Sequence, residues 1–300
     1  MIGTMKKKGI LLLVSVLSLA LLLVGCSGGA EENKESSGSV GEQVNHQIIG
    51  IDPGAGLMKA TAKAIKDYEL TDWELVEGSG AAMTAALKKA YEEKQPIIVT
   101  GWTPHWKFAQ FDLKYLEDPK GVYGADENIN TIVRNGLQQD HPSAYALLDK
   151  FHWEPADMET VMIAIVEGAD PAEAAANWVK ENQEKVNSWL EGIEPVQNQK
   201  ISLAYVAWDT EIASTHVVAN ALEQLGYEVE LSQVEAGPMW AGVAGADVDG
   251  IVAAWLPTTH ADYYEKFKGQ FEDLGPNLEG TKIGLVVPQY MDINSIKDLK

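Results

Sequence analysis

The sequence holds a single cysteine, Cys26, among its 300 residues. A disulfide or a cysteine-based zinc cluster needs at least two thiols, so both are excluded within this chain. Other metal sites are not indicated, because neither His105 nor His260 has a second ligating side chain at a useful spacing. The Gly-x-Ser-x-Gly elbow of serine hydrolases is absent as well. The sequence therefore predicts no metal, no cofactor and no enzyme.

Basic residues are scarce, with 23 Lys and Arg against 44 Asp and Glu and a formal charge of −21 at pH 7. Three of the lysines, residues 6–8, lie in the N-terminal leader, so the rest of the chain carries 20 basic against 44 acidic residues, a formal charge of −24. Without a basic footprint to neutralise phosphate, nucleic acid is not a predicted partner. An acidic surface that keeps the protein soluble explains the charge.

The apolar run at residues 10–24 is too short to span a membrane comfortably. It follows three lysines, as in a secretory signal, and ends in Leu23-Val24-Gly25-Cys26, which resembles the bacterial lipobox. We therefore predict a lipoprotein signal peptide over residues 1–25 and a lipid on Cys26, with a plain secretory leader as the alternative. The Gly-, Ser- and Glu-rich residues 26–45 predict a flexible tether. The folded body is then expected at the extracytoplasmic face of the cell membrane.

Apolar runs and helical spacing alternate twice along the chain and predict an α/β fold with mainly parallel sheets. The first alternation covers residues 48–106 and the second residues 201–260, with strands ending near residues 102, 208 and 255. Residues 112–192 between them are predicted to be helical, with one helix from an Asp170 cap to Trp189. A last strand is expected at residues 282–287 and a last helix at residues 292–299.

Three tryptophans stand at the ends of predicted strands, namely Trp102, Trp208 and Trp255. A tryptophan face attracts a desolvated quaternary ammonium by about 0.5–2 kcal/mol, so three faces supply about half of the ~8 kcal/mol of a micromolar affinity. Core packing is the alternative role. We expect it for the tryptophans inside predicted elements, Trp73, Trp178 and Trp189, and leave it open for Trp106, Trp153 and Trp240.

Residues 53–57, Pro-Gly-Ala-Gly-Leu, join a predicted strand to a predicted helix. Glycines let the backbone approach a ligand, and the free N–H groups of a helix N-terminus attract anions. The third glycine of a dinucleotide fingerprint is missing, which argues against a nucleotide site. The expected role is therefore an anion-binding site, called the seat below, or a plain tight turn. His260 is a candidate donor to a carboxylate, whereas His105 is expected at the surface of the corresponding loop.

The chain resembles the glycine betaine-binding lipoproteins of Gram-positive osmoprotectant ABC importers, the OpuAC type, over nearly the whole length that follows the leader. The stretches that carry the likeness are residues 49–58 (IGIDPGAGLM), 98–106 (IVTGWTPHW), 113–124 (LKYLEDPKGVYG), 203–214 (LAYVAWDTEIAS), 234–240 (VEAGPMW) and 254–260 (AWLPTTH).

The resemblance implies a two-lobed type II periplasmic-binding-protein fold, circularly permuted, with the ligand in the cleft between lobes. One lobe would comprise residues 46–108 plus 288–300, and the other residues 109–287. Each lobe would be a mainly parallel sheet flanked by helices.

The resemblance also implies the site. Trp102, Trp208 and Trp255 would surround a trimethylammonium head, while the amides of Gly56 and Leu57 and the ring of His260 would hold a carboxylate. Leu57 stands where isoleucine is expected, which matters little because only its backbone is implicated.

The expected function is that of a monomeric solute-binding component that delivers glycine betaine, and also proline betaine, to a membrane permease for osmoprotection. One alternative is a binding protein for another quaternary ammonium compound such as choline or carnitine. An enzyme that uses His260 with Asp209 or Glu211 as a general base is a second alternative, and a surface lipoprotein that binds another protein is a third.

Overall fold

The structure, a computed structural model, describes residues 38–300. Its described strands form one mixed sheet in the order β2-β1-β3-β9-β5-β8-β6-β7, with β4 alongside β9. The strands are β1 Gln47–Ile49, β2 Glu74–Val76, β3 Val99–Thr103, β4 Leu113–Tyr115, β5 Glu127–Arg134, β6 Gln199–Tyr205, β7 Tyr227–Gln233, β8 Gly250–Leu256 and β9 Phe271–Pro288.

Helices flank this sheet, which confirms the predicted α/β class. They are α1 Val40–Gln43, α2 Gly56–Asp67, α3 Gly80–Glu92, α4 Lys107–Gln110, α5 Leu137–Asp140, α6 Pro142–Lys150, α7 Pro155–Val166, α8 Pro171–Glu181, α9 Gln183–Leu190, α10 Asp209–Gln224, α11 Ala236–Ala244 and α12 Ala261–Lys266, followed by a 3-10 turn at Ile296–Leu299. Within residues 38–300, every helix is too short or too polar to cross a membrane.

The predicted signal peptide, Cys26 and the tether as far as residue 37 lie outside the described residues. The remainder of the predicted tether is partly helical, because Val40–Gln43 form α1. Ser39 and Glu42 make a capping box there, in which each side chain accepts a hydrogen bond from the other residue's backbone N–H. The tether prediction was therefore too long at its C-terminal end.

The two predicted alternations share one topology. In the first repeat, residues 47–106, β1 pairs in parallel with β2 on one side and β3 on the other. In the second repeat, residues 199–260, β6 pairs in parallel with β7 and β8 in the same arrangement. A cis proline follows each third strand, at Pro104 and Pro257. The two alternations predicted from the sequence therefore have the same parallel strand arrangement.

Strand β9 joins the two repeats and is much longer than predicted. Its C-terminal part, from Lys282 to Val286, pairs with β3, while its N-terminal part, from Phe271 to Thr281, pairs with β5. The register shifts several times along β5, so the strand bends as it crosses from one half of the sheet to the other. Turn-type residues such as Gly275 and Gly280 hide the first part of this strand from pattern analysis.

The prediction that residues 112–192 are helical throughout was wrong, because β4 and β5 lie there. The sequence pattern does not indicate β5 because two of the residues that this strand buries, Glu127 and Thr131, are polar. The single helix predicted from Asp170 to Trp189 is also two helices. The backbone N–H and the side-chain amide of Asn182 both donate to the Trp178 carbonyl, and this ends α8.

The helix predicted at residues 292–299 is only the short 3-10 turn Ile296–Leu299. Ser295 caps it, and the Ser295 backbone forms a bridge to Glu117. The C-terminal segment thus attaches to the first half of the sheet, where the Leu299 carbonyl accepts a hydrogen bond from the Trp73 indole at 3.1 Å.

We expect Asn277→Ala to lower the free energy of unfolding by about 1–3 kcal/mol, because it leaves two buried polar groups without their hydrogen-bond partner. The Asn277 amide is buried and donates to Thr131 Oγ1 and to the Val252 carbonyl, each at 2.9 Å, which ties β9 to β5 and β8. Urea denaturation measures the change. The matched control is Asn130→Ala on the same strand pair, where the amide donates to the exposed Asp273 and the expected loss is below about 0.5 kcal/mol. Equal losses in the two variants would contradict this role.

Candidate functional site

A small, narrow cavity lies where the carboxyl ends of strands from the two repeats face each other. Ligands of open α/β sheets bind at this edge of the strands. The first repeat, the second repeat and β9 all contribute to the lining, which consists of Ile51, Ala55, Leu57, Trp102, Trp208, Trp255, Thr259 and Ile283. The structure therefore brings together the three tryptophans that the sequence singled out.

Each tryptophan is held differently. Trp102 lies on β3, with the ring of His105 edge-on at 4.6 Å between centroids. Trp208 immediately precedes α10 and stacks on His260 at 5.7 Å with an interplanar angle of 18°. Trp255 lies on β8, opposite Ile129 of β5. All three are nearly inaccessible to solvent, with 2–4% of their surface exposed, so their faces are desolvated.

The N-terminus of α2 reaches this cavity from the first repeat. Its N-cap, Ala55, supplies no side-chain oxygen, and the N–H groups of Gly56 and Leu57 make no hydrogen bond to any described residue. A Cβ on Gly56 would lie 2.0 Å from the Thr259 carbonyl oxygen of the second repeat. Only glycine fits there, so the close approach of the two repeats leaves two free donors beside the cavity.

His260 is fully buried in the second repeat, and its Nδ1 accepts a hydrogen bond from the Trp255 backbone N–H at 3.1 Å. Nε2 has no partner among the described residues. Burial lowers the pKa of His260 from its ordinary 6.5 to about 3. The ring is therefore neutral at pH 7, and because Nδ1 accepts, the proton sits on Nε2 and makes it a free donor.

Glu127 of β5 holds the loop that carries His260, a role that the sequence analysis missed. Its carboxylate accepts hydrogen bonds from the N–H groups of Thr258 and Thr259, both at 2.6 Å, and from Thr259 Oγ1 at 2.7 Å. Burial raises the pKa of Glu127, while these three donors oppose the rise. The signal was an acidic residue at a buried position of a strand, which is visible only once β5 is recognised.

His105 is buried rather than at the surface, so the expectation of an exposed ring was wrong. Its Nδ1 accepts from the Lys107 N–H at 3.1 Å, and its Nε2 lies 3.2 Å from Asp209 Oδ2 without hydrogen-bond geometry. Burial, with a smaller effect from the charge of Lys107, lowers the pKa of His105 to about 3. His105 does not line the cavity and instead packs against Trp102.

Lys107 is also fully buried, with its Nζ 4.2 Å from the centroid of the Trp102 ring and no hydrogen-bond partner among the described residues. Burial lowers its pKa well below the usual value, although the nearby Asp209 opposes this. Like His105, Lys107 supports Trp102 without lining the cavity.

The remaining tryptophans divide as follows. Trp178 and Trp189 stack on each other in the core, as predicted, and Trp73 is buried near the C-terminal segment. Trp153 packs edge-on against Trp178. Trp240 lies against His260 behind the cavity, and Trp106 donates a hydrogen bond to Asp209. The described residues contain no group of His, Cys, Asp and Glu side chains able to hold a metal ion.

Comparisons with known proteins point to one family. The sequence model of the substrate-binding domain of ABC-type glycine betaine transport systems matches residues 30–181 and 199–300. The chain is 54% identical to the glycine betaine/carnitine transport binding protein GbuC of Listeria monocytogenes serotype 1/2a (strain 10403S), over 97% of this chain and 98% of that protein.

Two solved structures are similar over about half of the chain. One is lactococcal OpuAC in its closed-liganded conformation with glycine betaine, which is 52% identical over 50% of this chain and 59% of that chain, with a TM-score of 0.48. The other is an ABC-transporter choline-binding protein in complex with choline, 27% identical over 51% of this chain and 55% of that chain, with a TM-score of 0.45.

We expect His260 to stay neutral, with its proton on Nε2, from pH 8 down to about pH 4.5, because its pKa lies near 3. Long-range ¹H–¹⁵N NMR of the histidine rings measures both the charge and the tautomer, and His260→Gln assigns the signal. A His260 ring that becomes charged near pH 6.5, or one that carries its proton on Nδ1, would contradict this assignment.

Proposed function

The chain belongs to the family of substrate-binding domains of ABC-type glycine betaine transport systems, and from that premise we propose that its own ligand is glycine betaine. As a member of this family it is the extracytoplasmic substrate-binding component of an ABC importer and not an enzyme, and a membrane permease is its implied partner. Proline betaine is the proposed second ligand, and both serve as osmoprotectants. The observation that carries the proposal is the convergence of three buried tryptophans on one small cavity.

The proposed cage for the trimethylammonium head consists of Trp102, Trp208 and Trp255. A quaternary ammonium has no N–H group to satisfy, so it loses little hydrogen bonding when it leaves water, while desolvated indole faces attract its charge. Three such contacts contribute up to about 6 kcal/mol, against the ~8 kcal/mol of a micromolar affinity. Ile283 of β9 and Leu57 add apolar lining beside the cage.

The proposed carboxylate seat consists of the backbone N–H groups of Gly56 and Leu57 and the Nε2–H of His260. All three donors lack partners among the described residues, and unpaired buried donors gain most from an anionic acceptor. The positive end of the α2 dipole favours the same charge. A neutral His260 serves as a donor here, so the seat does not depend on protonation of the ring.

The two halves of the sheet are proposed to be lobes that close over the ligand. Residues 46–108 with the C-terminal residues 288–300 would form one lobe, and residues 109–287 the other. The pairing of Lys282–Val286 with β3 moves the proposed boundary within β9 from residue 287 to about residue 281. The chain crosses between the lobes at this point in β9 and in the segment between β3 and β5.

The proposed lipid on Cys26 would anchor this monomeric receptor to the outer face of the cell membrane. The tether that follows would let the folded body move between the membrane surface and the permease. A plain secretory leader would instead release the protein, so labelling with a radioactive palmitate precursor and a Cys26→Ser control separates the two.

Carnitine is the second candidate ligand, because the relative that shares 54% identity over 97% of this chain is named for glycine betaine and carnitine. Carnitine has both a trimethylammonium head and a carboxylate, but a longer spacer separates them. Choline keeps the head and lacks the carboxylate, so it would leave the three donors of the seat unpaired. We therefore expect affinity to fall from glycine betaine to carnitine to choline.

In titration calorimetry, glycine betaine is expected to bind and glycine to give no heat, because the primary ammonium of glycine loses its hydrogen bonds to water inside the cage. Trp102→Leu, Trp208→Leu and Trp255→Leu should each weaken glycine betaine binding by at least about fivefold, since each removes one cation–π contact.

Trp73→Leu is the matched control, because Trp73 is buried away from the cavity and its loss should change stability without changing affinity. Equal binding of glycine and glycine betaine would contradict the proposed cage. Trp→Leu cage variants with the same glycine betaine affinity as the Trp73→Leu control would contradict it as well. A thermal-shift screen with no response to any small molecule would instead favour a protein-binding role.

A further inference from the structure

Two hydrogen bonds from indole N–H groups to carboxylates join the repeats at the rim of the cavity. Trp208 Nε1 of the second repeat donates to Asp52 Oδ2 of the first at 3.0 Å. In the opposite sense, Trp106 Nε1 of the first repeat donates to Asp209 Oδ2 of the second, also at 3.0 Å. Each repeat therefore supplies one carboxylate and one indole.

Both bonds need the repeats to be in contact. Trp208 and Trp106 are about 95% buried, and each donor and its acceptor belong to different halves of the sheet. When the repeats separate, each indole N–H and each carboxylate returns to water. The bonds therefore stabilise only the arrangement in which the cavity is closed. They thereby increase the affinity for a ligand that binds to this closed arrangement.

We propose that Asp52 and Asp209 are positioning residues that hold the two repeats closed over the ligand by accepting the indole N–H groups of Trp208 and Trp106. This inference rests on the proposed function only for the choice of glycine betaine as the probe. Of the four residues, only Trp208 lines the cavity, and its Nε1–H is already used by Asp52.

Asp52 has a second effect through Trp208. The stacking of Trp208 on His260 fixes the plane of the indole, and the bond to Asp52 fixes its rotation within that plane. The two contacts together set which part of the ring lines the cavity. Nothing comparable holds Trp102 or Trp255, whose Nε1 atoms have no partner among the described residues.

Hydrogen bonds to charged groups change an equilibrium constant by about 10- to 100-fold. A bond made only in the closed arrangement contributes to the lifetime of the complex, because the ligand must wait for the repeats to open before it leaves. Loss of either bond should therefore speed dissociation and leave association nearly unchanged.

The first test is Trp106→Phe, which keeps an aromatic ring beside Phe111 but removes the donor to Asp209. Glycine betaine affinity should fall about tenfold or more, with the change in the dissociation rate measured by stopped-flow tryptophan fluorescence. Trp153→Phe is the matched control, because it also removes a buried indole N–H, and that N–H has no partner among the described residues. A Trp106→Phe protein that binds like the control would overturn the proposal.

The second test compares two substitutions of Asp52. Asp52→Ala should weaken binding about tenfold or more, whereas Asp52→Asn should recover part of the loss because its carbonyl oxygen still accepts the Trp208 N–H, although without the charge. The melting temperatures of the ligand-free variants should match the wild type, since the bond matters only when the repeats close. An Asn variant as weak as the Ala variant would refute the proposed role of Asp52 as acceptor of the Trp208 N–H.

The failure of this proposal is distinct from failure of the proposed function. A wild-type protein that gives no heat with glycine betaine contradicts the ligand assignment. If the wild-type protein binds glycine betaine and the Trp106→Phe and Asp52→Ala proteins bind it equally well, only the proposed role of the two hydrogen bonds is contradicted.

Discussion

Desolvation of three indole faces is the interaction on which the proposed site depends. Trp102, Trp208 and Trp255 come from three separate stretches of chain and are dry only because the two repeats meet. The contact is tightest at Gly56, where the Thr259 carbonyl leaves no room for a side chain. Strand β9 makes this contact possible, because it pairs with β3 at one end and with β5 at the other.

The two repeats share a topology but divide the proposed binding work unequally. The first repeat contributes Trp102 and the free amides at the start of α2. The second contributes Trp208 and Trp255, together with His260, which stacks on Trp208 and is not itself part of the cavity lining. The corresponding histidine of the first repeat, His105, packs behind Trp102 and takes no direct part. An asymmetric site suits an asymmetric ligand, with a bulky cation at one end and a small anion at the other.

Much of the fold and the core of the candidate site could be predicted from the sequence, because apolar strands that end in Trp102 and Trp255 leave a clear pattern. Strand β5 could not, because it buries Glu127, whose carboxylate is satisfied by a loop more than a hundred residues away in sequence. The first part of β9 was missed for the related reason that glycines interrupt its pattern. The pairing of Asp52 with Trp208 depends on how the repeats meet, which no local pattern encodes.

The central claim is that the cavity recognises a positive charge through indole faces and not merely a bulky methylated group. The most direct measurement compares the affinities of glycine betaine and 3,3-dimethylbutanoate, which replaces the trimethylammonium head with an uncharged tert-butyl group of the same shape and keeps the carboxylate. The account predicts that the uncharged analogue binds at least about tenfold more weakly. Equal or tighter binding of the analogue would contradict it.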